Sequence, residues 1–223
     1  MSENISKAIV LSIYQIEENG FLVSFFNEKG CFELFANGLN KISSKNRANL
    51  QIGSIVEIEY FPARLKQRVG KLKKAHLIET LDLIQEKNAK FAKKIALLLK
   101  NIRVNNHMFL WYTKIFHLIN ETNVAKLLTF FYAHSLIFFG IEPVFNACRI
   151  CKSRKNLIDF EVSDGGFLCD LHDKSQTKSL NFLTAVWYSF NDLKKYLITT
   201  NQETNYQLFR YYQSVIKNAG YII

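Results

Sequence analysis

The feature that most constrains this chain is a pair of short cysteine motifs. Cys148-Arg149-Ile150-Cys151 and Cys169-Asp170-Leu171-His172 are separated by 17 residues. A C-x-x-C or C-x-x-H turn points two donor atoms to one side of a tight loop, which is the bite a tetrahedral ion needs. Two such knuckles at this separation have the spacing of a structural zinc site. Zinc displaces thiol protons near neutral pH, so three thiolates and an imidazole hold it strongly. With Cys148, Cys151, Cys169 and His172 as ligands, no corner is left for water or substrate, so the expected ion is structural. A redox C-x-x-C belongs at the strand-to-helix junction of a βαβ unit, a pattern that does not surround Cys148. The first residues are polar and do not read as a secretory leader, so clustered cysteines suggest metal rather than disulfides. Between the knuckles, residues 156–162 read as a strand and Ser163-Asp164-Gly165-Gly166 as a turn into Phe167-Leu168. That is a hairpin joining the two, as in a zinc ribbon. Cys31 stands apart in an apolar run and is expected to be a small core residue.

The first eighty residues have a different character. Runs at 7–16, 21–26 and 31–36 are rich in β-branched and aromatic residues and are separated by the turn signals Glu18-Asn19-Gly20 and Asn27-Glu28-Lys29-Gly30. Such short connections make a meander. After a polar stretch, residues 54–61 alternate imperfectly with apolar Ile55, Ile58 and Tyr60, and Pro62 ends the run. Residues 70–79 form a fifth strand. Five short strands with a longer connection after the third suit a small Greek-key barrel of the OB type. An SH3-like barrel fits the same count, and periodicity does not separate the two.

Beyond Leu81 the apolar period becomes helical. Residues 88–100, 109–119, 122–139, 181–198 and 203–218 are the expected helices, with Thr122 or Asn123 as a cap and Gly140 as a stop. The apolar stretch 127–141 is shorter than the ~20 residues a membrane span needs and carries His134, so it reads as a core helix. The expected class is therefore α+β. A five-stranded OB-like barrel (1–80) precedes an α-helical domain (81–223) that carries a zinc-ribbon-like insert at 146–174.

The formal charge is +10, which favours a polyanionic partner. Nine cations, Lys41, Lys45, Arg47, Arg64, Lys66, Arg68, Lys71, Lys73 and Lys74, fall in one stretch whose only acids are Glu57 and Glu59. They occupy two barrel connections and the start of the last strand, which converge at the binding face of an OB-fold. They are the expected phosphate contacts, with Tyr60 or Phe61 available to stack bases. A second basic run, Lys87, Lys90, Lys93, Lys94, Lys100 and Arg103, lies on the first helix and just beyond it. It either extends that track, receives an acidic partner, or is a solvated face. The isolated histidines His76, His107, His117 and His134 read as packed or surface residues.

At this point a resemblance enters. Gly140-Ile141-Glu142-Pro143 leads into Cys148 and Cys151, then Phe160, then Gly165-Gly166-Phe167-Leu168-Cys169 and His172. This order resembles the zinc-bearing segment of bacterial RecO proteins. Ala8-Ile9-Val10-Leu11 resembles their first strand, and Asn37-Gly38 followed by Ser43-Ser44-Lys45 resembles the basic stretch after their third. Many relatives with the metal carry cysteine where this chain has His172, and some lack the metal, which implies that zinc serves the fold. The resemblance implies a cytoplasmic mediator of DNA repair and recombination. Such a protein binds single- and double-stranded DNA, anneals complementary strands and acts with RecR and single-stranded-DNA-binding protein to load recombinase. An RNA- or ribosome-binding protein built from the same two modules is the alternative. An enzyme is not expected, since the sequence has no Gly-rich phosphate loop, G-x-S-x-G or H-E-x-x-H. A peripheral membrane protein is disfavoured because no helix pairs a basic face with a strong apolar anchor.

Overall fold

Strands fill the first eighty residues and helices most of the remainder, much as the apolar periods predict, and they assemble into two compact units, Met1–Asn120 and Glu121–Ile223. The computed structural model describes residues 3–63, 65, 68–173 and 178–223.

The first unit holds β1 (Asn4–Gln15), β2 (Gly20–Asn27), β3 (Gly30–Asn37), β4 (Ile55–Phe61) and β5 (Gly70–Glu79), then α1 (Glu86–Lys100) and α2 (Met108–Ile115). The strands close into a barrel in the order β1-β2-β3-β5-β4. All neighbours are antiparallel except β3 and β5, which meet in parallel at Leu34–Gly70 and Phe35–Lys71. This order is that of the OB type of Greek-key barrel. Ala8, Val10, Val23, Phe25, Leu34, Val56, Ile58, Leu72 and Ala75 fill the interior.

In β1 the alternation is blurred for a physical reason. Ala8 and Val10 belong to the interior cluster, yet Ile9 and Leu11 on the opposite face are just as buried. Ile9 pairs across the sheet with both Phe26 and Ile55, making an apolar patch on the outside of the barrel. Helix α1 packs on β1, β2 and β3, burying Phe91, Ile95, Leu98 and Leu99. Tyr112 of α2 stacks 6.3 Å from Phe91 and donates its hydroxyl to the Gly53 carbonyl at 2.6 Å. The change from strand to helix falls after Glu79, whereas the compact units divide after Asn120. Helix α1 thus covers the outer face of β1 to β3, with α2 attached through Tyr112.

The second unit holds α3 (Val124–Ser135), β6 (Leu157–Glu161), β7 (Gly166–Cys169), α4 (Leu180–Asn191), α5 (Leu193–Thr199) and α6 (Gln202–Asn218). Helix α3 is apolar nearly all round and is buried accordingly. Its Tyr132 meets Phe209 of α6 edge-on at 5.0 Å. His134 is a packed histidine, 4.4 Å from the Phe130 ring and with Nε2 3.1 Å from the Ser189 carbonyl. The single helix expected over 181–198 is two helices. Asp192 leaves helical geometry at φ −152° and its carboxylate accepts from the Lys195 N–H at 2.9 Å, capping α5. Cys31 also departs from expectation. It is half-buried rather than a core residue, because it lies where β3 borders an open groove. Among the described residues, no helix is long and apolar enough to cross a membrane.

Candidate metal centre and basic barrel surface

Each knuckle is a backbone turn closed by its own hydrogen bonds. In the first, the Cys148 N–H donates to the Ser153 carbonyl at 2.7 Å and the Lys152 N–H donates to the Cys148 carbonyl at 2.9 Å. Lys152 takes φ +62° to complete the loop. In the second, the N–H groups of His172 and Asp173 both donate to the Cys169 carbonyl at 2.9 Å.

The β6–β7 hairpin holds the two turns together. The Arg149 N–H donates to the Phe167 carbonyl at 2.8 Å, tying the first knuckle to β7. The second knuckle is tied to the start of β6, where the Asp170 N–H donates to the Asn156 carbonyl at 3.1 Å and Asn156 Nδ2 donates to Asp170 Oδ2 at 2.9 Å. Gly166 makes the junction with the chain leading into the site. It sits at φ +117° against Val144, and a Cβ there would lie 2.3 Å from the Val144 oxygen. Phe160 and Phe167, both buried and 4.7 Å apart, form the floor. The sequence marks Gly166 as part of a turn but not its contact with Val144, and it does not mark Asn156 as an anchor. The Gly-Gly pair at 165–166 was the signal for the first, and a lone Asn before a short strand is too common to mark the second.

These turns bring together all four residues expected as ligands. The sulfur atoms of Cys148, Cys151 and Cys169 and a ring nitrogen of His172 lie within 4.8 Å of one another. Cys151 Sγ is 3.7 Å from Cys169 Sγ, and His172 Nδ1 is 3.6 Å from Cys148 Sγ and 3.3 Å from Cys169 Sγ. A tetrahedron with metal–sulfur bonds of about 2.3 Å and metal–nitrogen bonds of about 2.0–2.1 Å has edges of about 3.8 Å between sulfurs and about 3.6 Å from sulfur to nitrogen. The Cys151–Cys169 and Cys148–His172 separations match those edges and the Cys169–His172 separation is shorter, so the cluster can hold a metal ion. Cys148 and Cys169 are buried, while Cys151 and His172 form the exposed side. Burial pushes the Cys148 thiol up, but backbone N–H groups of Cys151, Ile150 and Cys169, with help from the Cys169 side chain, outweigh it and bring it down to about 6. Cys169 is raised by burial, against an N–H from Leu171, and by the neighbouring Cys151 and Cys148 sulfurs.

The predicted phosphate contacts lie in the first unit. Lys41, Lys45 and Arg47 are exposed on the connection after β3, which ends in a short 3-10 turn. Asn46 and Asn49 clamp this connection to β5. Asn46 accepts from the Ala75 N–H at 2.9 Å and donates to the Lys73 carbonyl at 3.3 Å, and Asn49 donates to the Ala75 carbonyl at 2.8 Å. Lys45 and Arg47, flanking Asn46, are thereby held beside Lys73 and Lys74. A bulge between Glu59 and Tyr60 lets Lys73 and Lys74 both face outward between the buried Leu72 and Ala75. Lys71 and Arg68 are also exposed, while Arg64 and Lys66 lie outside the described residues.

Lys73 differs from the rest because its ammonium is 2.6 Å from Glu3 and 3.2 Å from Glu59. The hydrogen bonds that Lys73 donates to these two carboxylates raise its pKa, and Lys73 in turn holds Glu59 below its ordinary range. Its ammonium is therefore already engaged by two acids of its own chain. A groove of about 330 Å³ runs beside this surface, with Phe32, Tyr60, Arg68 and Arg103 on its walls. Phe32 and Tyr60 are half-buried, with centroids 6.0 Å apart.

Comparison with known families covers both units. The family model "Recombination protein O N terminal" matches residues 1–81, and "Recombination protein O C terminal" matches residues 95–203. The chain belongs to the RecO family. The N-terminal RecO match contains the whole barrel, and the C-terminal one contains all four residues of the metal cluster. The DNA repair protein RecO of Mesoplasma florum is 28% identical over 187 residues, an alignment covering 76% of this chain and 67% of that protein. The DNA repair protein RecO of Bacillus cereus is 24% identical over 163 residues, covering 70% of this chain and 64% of that protein. The chain thus matches about two thirds of the length of these RecO relatives.

Proposed function

We propose that this RecO-family chain acts in DNA repair and recombination as a mediator that binds single- and double-stranded DNA, anneals complementary strands and helps load recombinase. The observation that carries this reading is the clamped basic surface of the barrel. Asn46 and Asn49 hold a cationic connection against the cationic strand β5, beside a groove with half-buried aromatic rings. Lys41, Lys45, Arg47, Arg68, Lys71 and Lys74 offer separate charges to a phosphate backbone, and Lys73 contributes less because Glu3 and Glu59 hold it. Arg64 and Lys66 belong to the same proposal by sequence alone. Tyr60, which lines the groove, or Phe61, which follows it on β4, supplies a face for bases. Two complementary strands repel as polyanions. Cations that neutralise phosphates on both lower that repulsion and let base pairing proceed without consuming a nucleotide. We read the partners as RecR and single-stranded-DNA-binding protein, and the compartment as the bacterial cytoplasm.

In the same reading the metal is Zn²⁺, held by the sulfurs of Cys148, Cys151 and Cys169 and by Nδ1 of His172. A soft-thiolate, four-coordinate set suits zinc, and the ion supplies folding energy to a hairpin whose own core is small. Because protein donors fill all four corners, we assign it no part in chemistry and read the chain as non-catalytic.

The test is fluorescence anisotropy of a labelled single-stranded DNA and a matched RNA hairpin, titrated with protein at several salt concentrations. About five phosphate contacts on a single strand give a slope of log affinity against log salt of about −3.5. Binding to DNA with such a slope is the expected outcome. No binding at low salt, or a clear preference for the RNA hairpin, would overturn the mediator reading, and the latter would favour an RNA-binding role.

A further inference from the structure

The second unit carries a cleft that the metal cluster does not use. It lies between the β6–β7 hairpin and the helices α4 and α5, and has a volume of about 370 Å³. Its floor is the buried Phe167 and Leu183. Trp187 and Tyr188, both half-buried, form one wall on the face of α4 that also presents Leu183. Arg154, on the loop that follows the first knuckle, and Lys195 of α5 stand at the rim, and both are exposed. Among the described residues lining the cleft there is no carboxylate. The nearest acid to its cations is Asp192, whose Oδ2 is 3.8 Å from the Lys195 ammonium, on the rim. That ammonium also lies 5.6 Å from the Tyr188 centroid, so it is held over the aromatic wall.

From this geometry we infer that the cleft is a second subsite for single-stranded nucleic acid, taking one unstacked nucleotide with its base against Trp187 and Tyr188 and its phosphates against Arg154 and Lys195. The inference rests on the DNA-binding reading above and adds a site outside the barrel. Flat aromatic faces with cations at the edge match a base and its phosphates, since every base offers a π face and every linkage one negative charge. The volume suits a small ligand rather than a folded one. Leu180, 70% exposed, lines one end of the cleft. The hairpin supplies Phe167, and the bond from the Cys148 N–H to the Ser153 carbonyl ties down the loop that carries Arg154, so the ordering of the knuckles shapes the cleft.

The chain contains two tryptophans, Trp111 and Trp187, which makes the site observable. The full-length protein is labelled with 5-fluorotryptophan, and its two ¹⁹F resonances are assigned with Trp111→Phe. It is then titrated with oligo(dT) while anisotropy of a labelled oligo(dT) reads total binding. The Trp187 resonance is expected to shift saturably with the midpoint seen by anisotropy. Arg154→Ala with Lys195→Ala, two exposed positions, is expected to reduce the salt slope by about 1.4, two contacts at about 0.7 each. Oligo(dT) that binds by anisotropy with an unmoved Trp187 resonance and an unchanged slope in the double variant would overturn the subsite and leave the barrel reading intact. Absence of binding by anisotropy would remove both. A shift caused by an aspartate-rich peptide and not by oligo(dT) would replace the nucleotide with an acidic peptide as occupant.

Discussion

Gly166 shows how much of the metal site depends on a residue that is not a ligand. Its φ of +117° is one that L side chains rarely adopt, and the Val144 backbone occupies the space where a Cβ would stand. Its neighbour Gly165 is also left-handed, at φ +88°, but there a Cβ would meet only the Arg149 side chain, at 3.7 Å. The two positions therefore separate strain from collision. Gly165→Ala is expected to cost about 1–3 kcal/mol from backbone strain alone. Gly166→Ala is expected to cost more and to weaken metal binding, because Val144 and β7 must part and the Arg149 anchor on Phe167 moves with them. Thermal unfolding and competition with a colorimetric zinc chelator measure the two effects. Equal losses in the two variants would show that the contact with Val144 does not shape the knuckles.

Among the elements, α2 is joined to the barrel by a buried polar contact from Tyr112 to the Gly53 carbonyl. Burial pushes the Tyr112 phenol well above its ordinary range, so it stays a neutral donor at any working pH. Its acceptor, the Gly53 carbonyl, lies in a buried turn just before β4. Tyr112→Phe keeps the ring packed against Phe91 and removes only the donor. The expected loss is about 1–3 kcal/mol, the cost of a buried acceptor left unsatisfied, read as a lower urea midpoint with an unchanged denaturant slope. The break between α4 and α5 is of the same kind. Apolar periodicity runs through residues 181–198, but the Asp192 carboxylate captures the Lys195 N–H and starts a new helix. That break places Lys195 over Tyr188.

For the whole molecule, the two units draw stability from different sources. The first closes a barrel around an apolar interior and covers one outer face with α1. The second includes a two-stranded hairpin whose Phe160 and Phe167 rest on Phe190 and Trp187 of α4 and Tyr211 of α6, and on the reading above a metal ion completes its knuckle end. Removal of the metal with a strong chelator is therefore expected to act locally. Amide hydrogen exchange should rise in β6, β7 and the knuckles, while β1 to β5 keep their protection. Equal loss across both units would show that the metal supports the entire fold.

Features written within a few residues of one another were legible before the structure. The two knuckles, the Gly-Gly turn and the hairpin between them depend on spacing along the chain, so Cys148, Cys151, Cys169 and His172 could be named together. Strand order in the meander followed from turn signals and short connections for the same reason. Other features rest on partners far apart in sequence, and no local period carries them. The parallel contact of β3 with β5 distinguishes the OB order from other small barrels. Ile9 and Leu11 of β1 are buried on the face opposite the barrel interior because α1 arrives some eighty residues later. Lys73 reads as a free cation until folding sets Glu3 beside it, and Cys31 reads as core until the groove opens next to β3. Local chemistry thus wrote the elements and the Cys148, Cys151, Cys169 and His172 cluster. Long-range packing decided which faces are covered and which charges remain for a partner, because burial and ion pairing depend on distance in space rather than along the chain.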